Sequence, residues 1–234
     1  MTAATLPLGA PVDTTPARLP GAATLSGAFG SVARLDAARD GDALWQAMRT
    51  GDEIWTYISS APALPDEAAF SAWVAGREAS KDPYFYSILD RDGRALGLLS
   101  LMAIRPDMRV VEVGNIAYSR ALQRTPLGTE TQYLLARYVF ETLGYRRYEW
   151  KCDSLNAPSR RAALRYGFVF EAVFRQHMIV KGRSRDTAYF SMLDSEWPAR
   201  KRNFERWLAP DNFEAAGRQK VNLAAMNGQM GPPP

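Results

Sequence analysis

The chain has 234 residues, 47% hydrophobic and 23% charged, with a formal net charge of +4. That length suits one well-packed α/β domain, and no apolar run approaches the roughly 18 residues that a membrane span requires. A single cysteine, Cys152, excludes an intramolecular disulfide, and a single histidine, His177, argues against a His-based metal site and a Ser-His-Asp hydrolase.

Residues 1–28 hold Pro7, Pro11, Pro16 and Pro20 with only Asp13 and Arg18 charged. Such a segment buries too little apolar surface to order itself, so an extended or disordered arm is expected. The N-terminus lacks the basic-then-apolar layout of a signal peptide, and a cytoplasmic location is expected. The folded domain is expected over 29–196, followed by a C-terminal helix and tail over 197–234.

Asp36 to Met48 reads as loop then helix, with Leu44, Trp45 and Met48 at helical spacing. A second helix is expected from Asp66 to Ala79, preceded by Pro65, capped by Asp66 and striped by Phe70, Trp73 and Val74. The period then changes. Tyr84 to Leu89 is aromatic and β-branched, Asp90-Arg91-Asp92-Gly93 is a turn signal, and Ala95 to Ile104 completes a hairpin. Val110 to Tyr118 is a third strand whose Gly114 and Asn115 suggest a bulge. A helix over Thr129 to Leu143 carries Leu134, Leu135, Tyr138 and Val139 on one side and ends at Gly144. A strand follows at Arg147 to Asp153, then a short helix from Ser159 to Tyr166 closed by Gly167. Phe168 to Lys181 and Thr187 to Leu193 form a last hairpin around Gly182-Arg183. A helix over Glu196 to Leu208 precedes a polar tail ending in Gly-Pro-Pro-Pro. This order gives a mixed α/β fold: a mostly antiparallel sheet with one parallel crossover.

Two helix starts carry chemistry. The loop Gln123-Arg124-Thr125-Pro126-Leu127-Gly128-Thr129-Glu130 stands directly before a helix, where unpaired N–H groups and positive partial charge favour a phosphate. Small residues let the backbone approach such a group closely. Asn156-Ala157-Pro158-Ser159 opens the second helix with Asn156 placed as its cap.

With the strand 111–118 before them and Tyr166-Gly167-Phe168 after them, these pieces resemble the GCN5-related N-acetyltransferase (GNAT) superfamily, in its RimJ/RimL-like branch, over roughly residues 30–196. The resemblance implies the GNAT fold, a mixed, mostly antiparallel central sheet flanked by helices, here with a C-terminal helical extension. It implies acetyl-CoA as co-substrate and an amine-bearing small molecule or a peptide N-terminus as acceptor; no metal is expected, because the chain has one His and one Cys and no suitable clustering of carboxylates. The cofactor-binding set it implies is Ile116, Ala117, Gln123, Arg124, Leu127, Gly128, Thr129, Asn156, Ser159 and Arg160. Backbone N–H groups over Gly114 to Ala117 would stabilise the oxyanion. Pro126 replaces the pattern's first glycine and removes one N–H donor.

Acetyl transfer needs a base and a proton donor for the leaving thiolate. Glu112, on the irregular strand, is the best candidate base; otherwise it pairs with an arginine or orients substrate. Many relatives place a tyrosine where this chain has Ala163, so Ser159, Tyr118 or ordered water remain as donors. Trp55 and Tyr57 read as core residues or as substrate contacts, the latter because the first two helices line the acceptor groove in the resembled fold. Pro126 and Ala163 also keep open a catalytically weakened CoA-binding sensor or scaffold. Cys152 and His177 read as packing residues, and the run from Lys181 to Asp186 as exposed turn chemistry. The Arg-rich stretches Arg146-Arg147 and Arg200-Lys201-Arg202 read as solvated surface with no nucleic-acid motif beside them, whereas Arg160 and Arg161, next to Asn156, could reach the cofactor's phosphates. The apolar stripe of the C-terminal helix, Trp197, Phe204, Trp207 and Leu208, either closes the core or pairs subunits in a homodimer.

Overall fold

The computed structural model describes residues 6–50, 52–61, 66–215 and 217–228. Pro65 and the Gly-Pro-Pro-Pro ending lie outside them. Eight strands make one sheet: β1 (Leu25–Ser26), β2 (Ser31–Arg34), β3 (Tyr84–Leu89), β4 (Ala95–Arg105), β5 (Val110–Tyr118), β6 (Arg147–Asp153), β7 (Val169–Val180) and β8 (Arg183–Leu193). Their spatial order is β1-β2-β3-β4-β5-β6-β8-β7. Every pairing is antiparallel except that of β5 with β6, so the mixed, mostly antiparallel sheet read from the sequence is the one found. The helices are α1 (Ala37–Met48), α2 (Asp52–Trp55), α3 (Glu67–Glu78), α4 (Pro126–Arg137), α5 (Ala157–Arg165), α6 (Trp197–Leu208) and α7 (Leu223–Met226). Among the described residues, no helix is long and apolar enough to cross a membrane.

The sheet has a core on each face. One gathers Leu134, Leu135, Tyr138 and Val139, the stripe legible in sequence, with Tyr148, Trp150 and Phe168 beneath them. Helix α6 adds Trp197, Phe204 and Trp207, each no more than 4% exposed, so its apolar stripe is buried within its own chain. Burying side chains of this size stabilises the fold by about 1.5–3 kcal/mol each. The second core packs Leu44, Met48, Phe70 and Val74 of α1 and α3 on β2 to β5. It does not extend under β6, β8 and β7. Because strand side chains alternate, Glu149 and Lys151 point to that same uncapped face while Tyr148 and Trp150 point away.

Three boundaries differ from the sequence reading. Helix α4 begins at Pro126, before Thr129, because Thr125 caps it: its Oγ1 accepts from Gly128 N–H at 3.1 Å. Proline suits the first helical position, whose N–H is unpaired in any case. The helix then continues as a π-helical stretch, Tyr138–Leu143, which Gly144 closes at φ 79°. The last hairpin is longer than expected. Its turn falls at Lys181 and Gly182, both with positive φ, so Ser184 and Arg185 belong to strand β8. At the N-terminus, residues 6–24 carry no helix or strand, yet Ala17 N–H bonds to Pro106 O at 3.1 Å and Arg18 N–H to Leu143 O at 2.8 Å. Strand β1 lies within the segment read as an arm.

Candidate active site

The parallel pairing of β5 with β6 runs from Val110↔Arg147 to Val113↔Trp150 and stops, although both strands continue. At that point Asn115 takes φ 51° and the β4–β5 register shifts. Its side chain is fixed by Ser60 Oγ, which donates to Oδ1 at 2.6 Å, and by Ser100 Oγ, which accepts from Nδ2 at 2.9 Å. The strands therefore part, and the gap opens into a cavity of about 1500 Å³.

One wall of the cavity is made of helix N-termini. Gly128 in the first turn of α4 is closely packed: a Cβ would stand 3.0 Å from Leu122 O and 3.2 Å from the Tyr118 ring, so any side chain would push on its neighbours. The Tyr118 hydroxyl donates to Gly128 O at 3.0 Å and accepts from Gln132 Nε2 at 2.8 Å. Burial pushes that hydroxyl well above its ordinary pKa. Across the gap, Asn156 Oδ1 accepts from Ser159 N–H at 3.1 Å and caps α5. Ser159 Oγ accepts from Trp150 Nε1 at 3.0 Å, and its hydroxyl lies within hydrogen-bonding reach of the Cys152 sulfur. Arg165, at the end of α5, bonds to Thr129 Oγ1 at 3.0 Å and lies 4.8 Å over the Trp207 ring. Burial draws its pKa down, and no carboxylate among the described residues pairs with it. A mostly buried guanidinium beside a helix N-terminus fits an anionic ligand such as the phosphates of CoA.

The other wall is made of strand side chains. Glu112 of β5, 7% exposed, receives Lys151 Nζ at 2.8 Å, and the same ammonium reaches Glu149 at 2.9 Å. Arg147 extends the ladder to Glu149 at 2.7 Å and Glu171 at 2.6 Å. The two carboxylates that share Lys151 respond oppositely. Burial raises the Glu112 carboxyl above its ordinary value despite the pull of Lys151 and, more weakly, of Arg185. Burial also opposes the Glu149 charge, but the bonds from Arg147 and Lys151 outweigh it and hold that carboxyl low. Cys152 and Ser159 face the cavity as well, and burial pushes the Cys152 thiol up.

Most residues singled out from the sequence meet around this one cavity: Glu112, Ile116, Tyr118, Gln123, Arg124, Gly128, Thr129, Asn156, Ser159 and Tyr57 all line it. Four do not present their side chains there. Trp55 packs edge-on against Phe70 and Trp73, and Ala117 belongs to the same core. Leu127 faces the core under α4, and Arg160 turns to Ser154 O at 3.3 Å, so of the Arg160-Arg161 pair only Arg161 lines the wall, joined there by Arg165. Lys151, Tyr189 and Arg185 were missed as site residues, and His177 was read as packing; all four line the cavity. Alternation along β6 would have paired Glu149 with Lys151, but nothing local places Glu112 beside them. Among the described residues, no cluster of His, Cys, Asp and Glu has a metal-holding arrangement.

Comparison with known proteins agrees with this geometry. The family described as "Acetyltransferase (GNAT) domain" matches residues 33–169, more than half of the chain. A GCN5-related N-acetyltransferase from Brucella melitensis is 43% identical, with a TM-score of 0.88 over 92% of this chain and 98% of that one. A probable GNAT-family acetyltransferase from Chromobacterium violaceum is 40% identical, with a TM-score of 0.75 over 85% and 99%. YdaF of Bacillus subtilis, provisionally designated a ribosomal N-acetyltransferase, is 29% identical over 110 residues, which span 47% of this chain and 60% of that protein. RimL, a ribosomal L7/L12 alpha-N-protein acetyltransferase, shares the fold at a TM-score of 0.63 and 18% identity. The likeness to YdaF accords with the RimJ/RimL-like branch seen in the sequence, whereas the likeness to RimL is one of fold alone. The chain belongs to the GNAT acetyltransferases and is an acyltransferase enzyme, in a family whose fold implies acetyl-CoA as acetyl source.

Proposed function

We propose that the enzyme transfers acetyl directly from acetyl-CoA to a primary amine, on a small molecule or a peptide N-terminus. The observation that carries this reading is Glu112. It is a buried carboxylate of raised pKa on the stretch of β5 that pairs with β6, facing the same cavity as the capped N-termini of α4 and α5.

Acetyl-CoA would supply an activated thioester. The helix-terminus wall would hold it, with Arg161 and Arg165 toward the phosphates and Asn156 toward the thioester end. Asn156 has Nδ2 to offer there, since Oδ1 is committed to the cap. Glu112 takes the proton of the attacking amine; its raised pKa makes it a stronger base than an exposed carboxylate. Backbone N–H groups where β5 leaves β6 stabilise the oxyanion. Ser159 suits the protonation of the departing thiolate better than Tyr118, because its hydroxyl lines the cavity while the Tyr118 hydrogen is engaged at Gly128 O.

The test is release of free thiol from acetyl-CoA with a panel of amines and peptides, with mass-spectrometric detection of acetylated product. Thiol release matched by N-acetyl product is expected. CoA binding without release for any amine would instead favour a cofactor-binding sensor.

A further inference from the structure

Arg185 lies on β8 opposite Met178 of β7, on the strand wall of the cavity. Its Nε donates to Thr187 Oγ1 at 3.1 Å. Thr187 is fully buried and contacts His177 Nδ1 at 3.0 Å, while His177 Nε2 meets the Tyr189 hydroxyl at 3.2 Å. Phe174 stacks on the Tyr189 ring at 4.1 Å between centroids. A chain of contacts through the hairpin therefore fixes the plane of the guanidinium.

Its two terminal amino groups have no hydrogen-bond partner among the described residues. Lys151 differs, being held between Glu112 and Glu149. No carboxylate among the described residues comes within salt-bridge distance of Arg185, although it is half buried and faces the same space as Glu112. Glu112 acts on this guanidinium only through space, so its outer N–H groups remain free to bind an anion entering the cavity. A planar, oriented fork with both outer donors free matches a carboxylate.

We propose that Arg185 anchors a carboxylate of the acceptor, so that the enzyme prefers amines bearing a carboxylate close to the nitrogen it acetylates. This rests on the amine-acetylation reading above, with Glu112 as base. Arg185 is then a residue of acceptor specificity, set apart from the helix-terminus wall that would hold the CoA phosphates.

Acceptor pairs differing in one charge test it: free amino acids against their α-amides, and short peptide amides with Glu or Gln at the second position. The first pair reports an α-carboxylate and the second a side-chain carboxylate. In the wild-type enzyme the charged member of one pair type is expected to have the lower KM. Arg185→Gln should raise that KM about 10- to 100-fold, erase the difference and leave the KM for acetyl-CoA unchanged. Arg185→Lys should restore part of it. Equal KM within every pair of the wild type, or a preference surviving in Arg185→Gln, would overturn the assignment. So would an equal fall of kcat with charged and neutral acceptors, which would place the guanidinium at the leaving thiolate. Calorimetric titration of the same pairs into CoA-saturated protein reads the preference without turnover. Absence of acetylation would then count against the transfer reading alone, while equal binding of both pair members would still refute the anchor.

Discussion

On one wall of the cleft, Thr125 and Asn156 each cap a helix through an N–H three residues away. On the other, Glu112, Lys151 and Arg185 come from three different strands. The first wall works through backbone dipoles and short-range caps, and survives changes elsewhere as long as the two helices form. The second works through side-chain charges whose roles depend on each other. Glu112 and Glu149 are similarly inaccessible and share one lysine yet shift in opposite directions, because Glu149 also pairs with Arg147 and Arg105. Substitutions on the strand wall should therefore change proton transfer and acceptor binding, and those on the helix wall should change cofactor binding and stability.

The largest effect is expected from Glu112→Gln. Loss of a general base should lower kcat/KM by about 10²–10⁴ and abolish the acid limb of the pH–rate profile. Unchanged turnover and profile would show that Glu112 only orients substrate. In the wild type that limb should fall above the ordinary carboxyl value of 4.5, because the base must be ionised and its pKa is raised.

Lys151→Met should move the acid limb further up, since it removes the cation that favours the Glu112 carboxylate. A limb that stays in place would mean the acid limb belongs to another group. Stability should separate the two carboxylates by sign. Glu112, raised, binds its proton more tightly folded than unfolded, so its contribution is present below 4.5 and declines as pH rises through its folded value. Glu149, lowered, contributes stability above 4.5 that is lost as pH falls through its folded value. Denaturation midpoints of Glu112→Gln and Glu149→Gln across pH should show opposite trends.

Asn156→Ala should raise the KM for acetyl-CoA, lower turnover and cost about 1 kcal/mol of stability through the lost cap. The smallest effect is expected from Thr125→Ala, about 0.5–2 kcal/mol, read as a fall of a few degrees in Tm with the pH profile unmoved. A shifted profile in Thr125→Ala would break the separation between the walls.

The sequence determined what is local in this protein. The Asn156 cap, the α4 stripe of Leu134, Leu135, Tyr138 and Val139, the kinked β5 and the sheet with one parallel crossover were all legible, because caps, periodicity and turn residues act within a few positions of themselves. Even the misplaced start of α4 failed by one turn only, where Thr125 rather than the loop's small residues set the boundary. Tertiary structure alone decided which charges meet. The partnership of Glu112 with Lys151 depends on the parallel register of β5 on β6. The entry of Arg185 into the site depends on the turn at Lys181-Gly182, which lengthens β8 and converts an apparent loop arginine into a cavity-facing one. A one-residue change of register would turn either side chain to the opposite face.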